Sequence, residues 1–191
     1  MSTATFADLF RKFFGFLESS HVEYFAYGGV VVAVWGAPRE TIDVDAVVCV
    51  PDEDVEGLLP ALSAAGFGYP DGARSTFPID GWLRASFAGR HADIALGRTP
   101  FDESALTRRR RVTLFGTSIW VASAEDLILY KLVAHRYKDL GDAETVLVRS
   151  RGRLDLAYLR RWADEIARGT GKFEVPGKLE ALIERARPRE S

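Results

Sequence analysis

The sequence is poor in the features that mark several protein classes. A single cysteine among 191 residues excludes an intrachain disulfide framework and a cysteine-rich zinc site. No apolar stretch approaches the roughly 20 residues that a membrane-spanning helix needs. The formal net charge is only −2, so the overall charge does not indicate a nucleic-acid-binding protein or a membrane-surface protein.

The remaining composition is that of an ordinary globular chain. Hydrophobic residues make up 47% of the sequence, which is enough for one sizeable core. The length predicts one large domain, or one domain with a small helical appendage. The N-terminal sequence MSTATFADLFRKFF lacks the charged start and long apolar region of a signal peptide, so we expect a cytoplasmic protein with no membrane partner.

Hydrophobic periodicity predicts helices at both ends of the chain and short strands between them. Apolar residues at helical spacing predict a first helix from Phe6, and VEYFAY predicts a buried strand that ends at Gly28. A helix over 53–65 is predicted to begin at an Asp52 cap. Ser123, three residues before an aspartate, predicts a capping box at the start of the C-terminal helices.

The strands are short and are predicted in three places. DVDAVVCV predicts one strand, GWLRASF and HADIAL predict a hairpin, and RVTLF and IWVA predict a second hairpin. The order of helix, short strands and further helices predicts an α+β fold. We expect a core over residues 1–122 and a helical C-terminal part over residues 123–191, packed on that core.

Two aspartates at the start of one predicted strand indicate a metal site. Side chains alternate along a strand, so Asp43 and Asp45 share one face. Their carboxylates repel each other, and a divalent cation such as Mg²⁺ relieves that repulsion. Asp93 supplies a third carboxylate if its predicted strand is a neighbour. Three carboxylates can hold two Mg²⁺ ions about 3.5–4 Å apart, which suits in-line phosphoryl transfer from a nucleoside triphosphate (NTP).

The glycine pair before these acids has a matching use. Gly28 and Gly29 allow backbone amides to approach phosphate oxygens, and a helix starting there would add partial positive charge. The apolar run VVVAVWG fits a strand or a short helix, and phosphate binding favours the helix. Each pattern is weak by itself, because a glycine pair is usually a turn and D-x-D is usually a solvated strand end.

The order of these elements resembles a known superfamily. YGGVVVAVWGAPRETIDVDAVV resembles the core motif of the DNA polymerase β-like nucleotidyltransferases, and is closest to the bacterial branch that includes the AbiEii-type toxins of type IV toxin–antitoxin systems. The resemblance implies the nucleotidyltransferase fold, a short mixed β-sheet flanked by helices, with a helical C-terminal part. The matching residues are Gly28, Gly29, Arg39, Thr41, Asp43 and Asp45.

A second segment, VASAEDLILYKLVAHRYKDLGDAETVL, is similar to the superfamily's lysine-bearing helix and the polar residues after it. The matching residues are Lys131, Arg136, Lys138, Asp139 and Asp142. In the family such a lysine faces the nucleotide phosphates, so the resemblance implies that Lys131 and Arg136 bind NTP together with Arg39 and Thr41. The alternative is a solvated lysine beside a surface ion-pair network.

The resemblance implies a Mg²⁺-dependent enzyme that moves a nucleoside monophosphate from an NTP to an acceptor hydroxyl and releases pyrophosphate. The acceptor would be tRNA, a protein or a small molecule such as an antibiotic, and a toxin would have a cognate antitoxin as partner. Gly29 stands where many active members have serine, so a catalytically weakened nucleotide-binding module is an alternative. For the arginine run 108–111 we favour a solvated strand entry over a tRNA contact.

Overall fold

The computed structural model describes residues 4–134 and 136–187. The chain divides into two compact units, Met1–Val30 with Glu40–Val121, and Val31–Arg39 with Ala122–Ser191. The helices are α1 Phe6–Ser19, α2 Gly29–Trp35, α3 Val55–Ala64, α4 Ala73–Asp80, α5 Pro100–Arg108, α6 Ala124–Ala134, α7 Tyr137–Arg149, α8 Leu156–Thr170 and α9 Val175–Arg185. The strands are β1 Glu23–Tyr27, β2 Val44–Cys49, β3 Trp82–Phe87, β4 Arg90–Leu96, β5 Arg110–Leu114 and β6 Thr117–Val121.

The first unit is built on one six-stranded mixed sheet in the order β3-β4-β2-β1-β6-β5. β2 is antiparallel to β1 and parallel to β4, whereas β1 is parallel to β6. Both predicted hairpins are present, β3 with β4 and β5 with β6. The prediction of an α+β fold with a short mixed sheet flanked by helices is therefore confirmed.

Helix α1 supplies an aromatic layer to the first unit. A capping box between Thr5 and Asp8 fixes its start. Phe10 and Phe14 are fully buried, with ring centroids 4.7 Å apart, and Phe14 stacks on Tyr24 of β1. The phenylalanine-rich N-terminus therefore forms the layer that covers one face of the sheet.

The second unit is helical, and a helix cap and buried hydrogen bonds hold its helices together. Ser123 caps the start of α6, because Asp126 donates its backbone N–H to Ser123 Oγ and the Ser123 hydroxyl donates to the Asp126 carboxylate. The hydroxyl of Tyr158 donates to the carboxylate of Asp126 at 2.6 Å, which ties α8 to α6. The indole of Trp35 donates to the carbonyl of Ala122, so the end of α2 belongs to this unit.

One predicted helix cap is wrong, and two helices were not predicted. Asp52 opens a 3₁₀ turn and pairs with Arg98 instead of capping α3. Helix α4 escaped prediction because glycines bracket it and Pro78 lies inside it. Helix α5 carries a clear signal that was overlooked, a capping box between Thr99 and Asp102.

In the described part of the chain, no helix combines the length and the apolar character that crossing a bilayer requires.

Candidate active site

The strand register of the first unit brings two of the predicted acids side by side. Asp45 on β2 lies opposite Tyr27 on β1 and in register with Asp93 on β4. Side chains in register on adjacent strands share a face, so the Asp45 and Asp93 carboxylates are neighbours. Asp43 stands two residues before Asp45, immediately ahead of β2. The strand adjacency on which the three-acid hypothesis depended is therefore present.

The glycine pair adjoins this acid. Gly28 has φ +76°, and a Cβ at this position would lie 2.1 Å from Asp45 Oδ2. Only glycine allows the Asp45 carboxylate to rest against the backbone here. Gly29 begins α2, so the helical interpretation of the apolar run after it is confirmed. Thr41 donates its hydroxyl to the carbonyl of Asp43, which closes the turn before β2.

Arg84 is a site residue that the sequence analysis missed. Its guanidinium donates to both oxygens of Asp93, Nε to Oδ1 at 2.8 Å and Nη2 to Oδ2 at 2.7 Å. The hydrogen bond to Asp93 raises the pKa of Arg84, and the carboxylates of Asp43 and Asp45 raise it further. The signal was available: a hairpin with two turn residues, 88 and 89, places residue 84 opposite residue 93.

The chemistry of the three acids fits a hard divalent cation. Carboxylate oxygens are the ligands that Mg²⁺ prefers, and Mg²⁺ commonly uses only one or two of them. Among the described residues, no group of three or more His, Cys, Asp or Glu side chains is arranged to hold a metal ion. At Asp93, both carboxylate oxygens accept hydrogen bonds from Arg84. Cation binding by Asp43, Asp45 and Asp93 stays a prediction.

In the second unit, the basic residues assigned to phosphate are paired with acids. Lys131 Nζ lies 2.9 Å from Asp139 Oδ1 and 2.8 Å from Asp142 Oδ2. Arg39 binds both oxygens of Asp142, and Arg136 binds Asp139. We call these five residues the Lys131 cluster. Phosphate binding by its basic members stays a prediction.

The cluster is buried at its centre, so Lys131 is not a solvated helix residue, whereas ion pairs of the alternative network are present. Lys131 is only 4% exposed, and both aspartates are buried. Burial raises the pKa of Asp139, but hydrogen bonds from Arg136 and Lys131 outweigh it and leave the pKa below its ordinary value. Burial acts in the same way on Asp142, where hydrogen bonds from Arg39 and Lys131 lower the pKa.

Two members of the arginine run 108–111 are engaged within the first unit. Arg109 and Arg111 both lie against the ring of Trp120, with Cζ 4.6 and 5.1 Å from its centroid. Arg109 pairs with Glu23, and Arg111 pairs with Glu18. These contacts support the structural interpretation of the run over a polyanion contact.

Comparison with known proteins gives relatives in structure only. No family model and no curated protein matches the sequence. The chain is similar to the solution structure of the antibiotic-resistance factor ANT(2'')-Ia, with a TM-score of 0.61 at 13% identity over 91% of this chain and 98% of that one. It is also similar to a nucleotidyltransferase-like protein from Paracoccidioides brasiliensis, with a TM-score of 0.57 at 13% identity over 94% of this chain and 92% of that one.

A third neighbour is the lincosamide antibiotic adenylyltransferase LnuA with lincomycin bound, with a TM-score of 0.51 at 14% identity over 76% of this chain and 98% of that one. The chain therefore has the nucleotidyltransferase fold, as the sequence motifs implied. A shared fold does not fix a substrate. The AbiEii-type branch stays a prediction.

Proposed function

We propose that this chain is a nucleotidyltransferase that moves a nucleoside monophosphate from an NTP to an acceptor hydroxyl. The observation that carries the proposal is the register of Asp45 with Asp93 beside Gly28, within this fold. The acceptor oxygen would form a bond to the α-phosphorus while the bond from that phosphorus to the β-phosphate oxygen breaks. Pyrophosphate leaves, and the acceptor gives up its hydroxyl proton.

The carboxylates have distinct roles in this proposal. Asp43 and Asp45 would hold Mg²⁺ ions, two in all, with Asp93 as the third ligand. Bound there, Mg²⁺ would activate the attacking hydroxyl and neutralise charge on the departing pyrophosphate. Asp93 would also take part in removing the acceptor proton, because a carboxylate in hydrogen-bond reach of a hydroxyl can act as a base.

Nucleotide binding is assigned from the sequence motifs. The backbone at Gly28 and Gly29 would approach the phosphates, since neither residue has a side chain in the way. Arg39, Thr41, Lys131 and Arg136 would complete the nucleotide-binding set. Asp142 and Asp139 engage the Nε and Nη2 groups of Arg39 and Arg136, so phosphate at these edges would have to displace a carboxylate.

The first candidate acceptor is a hydroxyl on tRNA or protein, as the AbiEii-type resemblance suggests, with toxin activity and a cognate antitoxin. The second is a small hydroxyl compound. Two structural neighbours support the second, because one is an antibiotic-resistance factor that was also solved with adenylyl-2"-tobramycin, and the other is a lincosamide adenylyltransferase.

The experiment is transfer of label from each of the four α-³²P NTPs, with Mg²⁺, to total RNA, the protein itself, tobramycin or lincomycin. We expect transfer to at least one acceptor by the wild type and none by Asp45→Asn, with both proteins equally folded by circular dichroism. Full activity in Asp45→Asn would contradict the assignment. Nucleotide binding without transfer to any acceptor would favour the catalytically weakened module.

A further inference from the structure

The pair between Arg84 and Asp93 is the part of the site that nucleotidyl transfer does not by itself require. Both oxygens of Asp93 accept a hydrogen bond from the guanidinium. A cation that used the remaining lone pairs of this carboxylate would lie beside a fixed positive charge. Arg84 and a metal ion at Asp93 therefore oppose each other electrostatically.

The arginine is the member of the pair that is free to leave. Its side chain is 44% exposed, whereas that of Asp93 is only 12% exposed. Arg84 lies on β3, at the edge of the sheet, where solvent reaches one side. Its Cζ is already 5.7 Å from the ring centroid of Trp82, so a cation–π contact remains available after the ion pair opens.

Arg84 forms its bidentate pair with Asp93 and not with the other two acids, Asp43 and Asp45. Asp43 and Asp45 act on Arg84 by charge only, so a cation held by them alone would leave the two hydrogen bonds to Asp93 in place. A cation that also uses Asp93 must open the pair.

We propose that Arg84 and a divalent cation compete for Asp93. Arg84 is a positioning residue, since it holds the Asp93 carboxylate in place until a cation replaces it. The inference rests on the proposed function, because that chemistry is what calls for a cation at Asp93. Its consequence is that two cations bind with unequal affinity, and the weaker one binds in exchange for the guanidinium.

The test is titration with Mn²⁺ alone at constant ionic strength, with free Mn²⁺ measured by electron paramagnetic resonance. We expect Arg84→Gln to tighten the weaker binding phase roughly three- to tenfold, as expected for losing a partly exposed charged pair. Arg84→Lys, which keeps the charge but loses the bidentate geometry, should give a smaller gain. Arg74→Gln, at an exposed arginine of α4, is the matched control and should leave both phases unchanged.

Removing any positive charge near carboxylates favours cation binding. A second control is therefore needed to show that Arg84 acts through Asp93. In an Asp93→Asn background the gain from Arg84→Gln should be much smaller, because the carboxylate for which Arg84 and the cation compete is gone. An equal gain in both backgrounds would overturn the proposal, and so would unchanged or weaker Mn²⁺ binding in Arg84→Gln. Circular dichroism checks that each variant is folded.

The same titration separates this inference from the function on which it rests. Loss of Mn²⁺ binding in Asp45→Asn supports the metal site. Mn²⁺ binding that needs Asp45 but does not respond to Arg84→Gln overturns the competition alone. If neither the wild type nor Arg84→Gln binds Mn²⁺, the proposed metal site and the inference both fail.

Discussion

The carboxylate of Asp45 occupies the space that a side chain at position 28 would need. A Cβ on Gly28 would lie 2.1 Å from Asp45 Oδ2 and 2.5 Å from its Cγ, contacts that real atoms do not make. Gly28 also has φ +76°, a conformation that L residues adopt only at a cost. Gly28 therefore leaves room for the Asp45 carboxylate, in addition to leaving its own backbone amide accessible.

We expect Gly28→Ala to cost about 1–2 kcal/mol of stability from its backbone angle and to displace the Asp45 carboxylate. Mn²⁺ affinity and nucleotidyl transfer should fall together. The control is Gly72→Ala, because Gly72 has φ +85° but no heavy atom near its missing Cβ. Urea denaturation and Mn²⁺ titration of both variants distinguish the effects. Wild-type Mn²⁺ affinity in Gly28→Ala would show that Asp45 is not placed by this contact.

Lys131→Met tests whether the Lys131 cluster serves stability or the nucleotide. Lys131 is buried between Asp139 and Asp142, so its removal leaves two buried carboxylates with one basic partner fewer each. We expect a loss of about 3 kcal/mol in the free energy of unfolding, measured by urea denaturation. Lys138→Met, at an exposed lysine, is the control and should not change stability. Weaker NTP binding at unchanged stability would instead support direct phosphate contact.

The acids of the cluster should make stability depend on pH in the acidic range. The pKa values of Asp139 and Asp142 lie below the ordinary value of 3.8 in the folded chain. Their contribution is therefore complete above pH 3.8 and is lost as the pH falls through the lower folded values. Urea denaturation from pH 6 to pH 2.5 should show this loss, and Asp142→Asn should flatten the slope. If the free energy of unfolding depends on pH equally in the wild type and in Asp142→Asn, Asp142 does not cause that dependence.

Arg111→Ala tests the structural interpretation of the arginine run. Arg111 pairs with Glu18 and lies over Trp120, and both contacts are partly exposed. We expect a loss of about 1 kcal/mol in stability and no change in binding to total RNA. Arg110→Ala, at an exposed position, should leave stability unchanged. Weaker RNA binding in Arg111→Ala, measured by filter binding at several salt concentrations, would favour the polyanion contact.

Local sequence patterns were enough to predict β2 and β4, the strands at which the three acids lie. Alternation fixed which residues of β2 share a face, and the hairpin around Gly89 placed Asp93 on a strand. The order of strands across the sheet had to be assumed, because β2 and β4 are brought together by long-range pairing that periodicity does not encode. The Arg84 pair lay within reach of the sequence, since counting back from the hairpin turn identifies it.

The contacts of the Lys131 cluster could not be predicted from local sequence patterns. Lys131 and Asp139 are eight residues apart on different helices, and their contact depends on how α6 packs against α7. Arg39 reaches Asp142 across more than a hundred residues of chain. Motif resemblance named most of these residues, but only tertiary packing decides that a buried lysine is neutralised by two acids.

The alternation of side chains along β2 also disfavours a wrong strand register. Val44, Ala46 and Val48 are buried on the face opposite to Asp45. A slip of one residue in the pairing of β2 would exchange the two sets and drive carboxylates into the aromatic layer under α1. Burying an unpaired charge there is costly, so the misregistered pairing is disfavoured. Asp45 thus helps to specify the register of β2, in addition to its place in the candidate site.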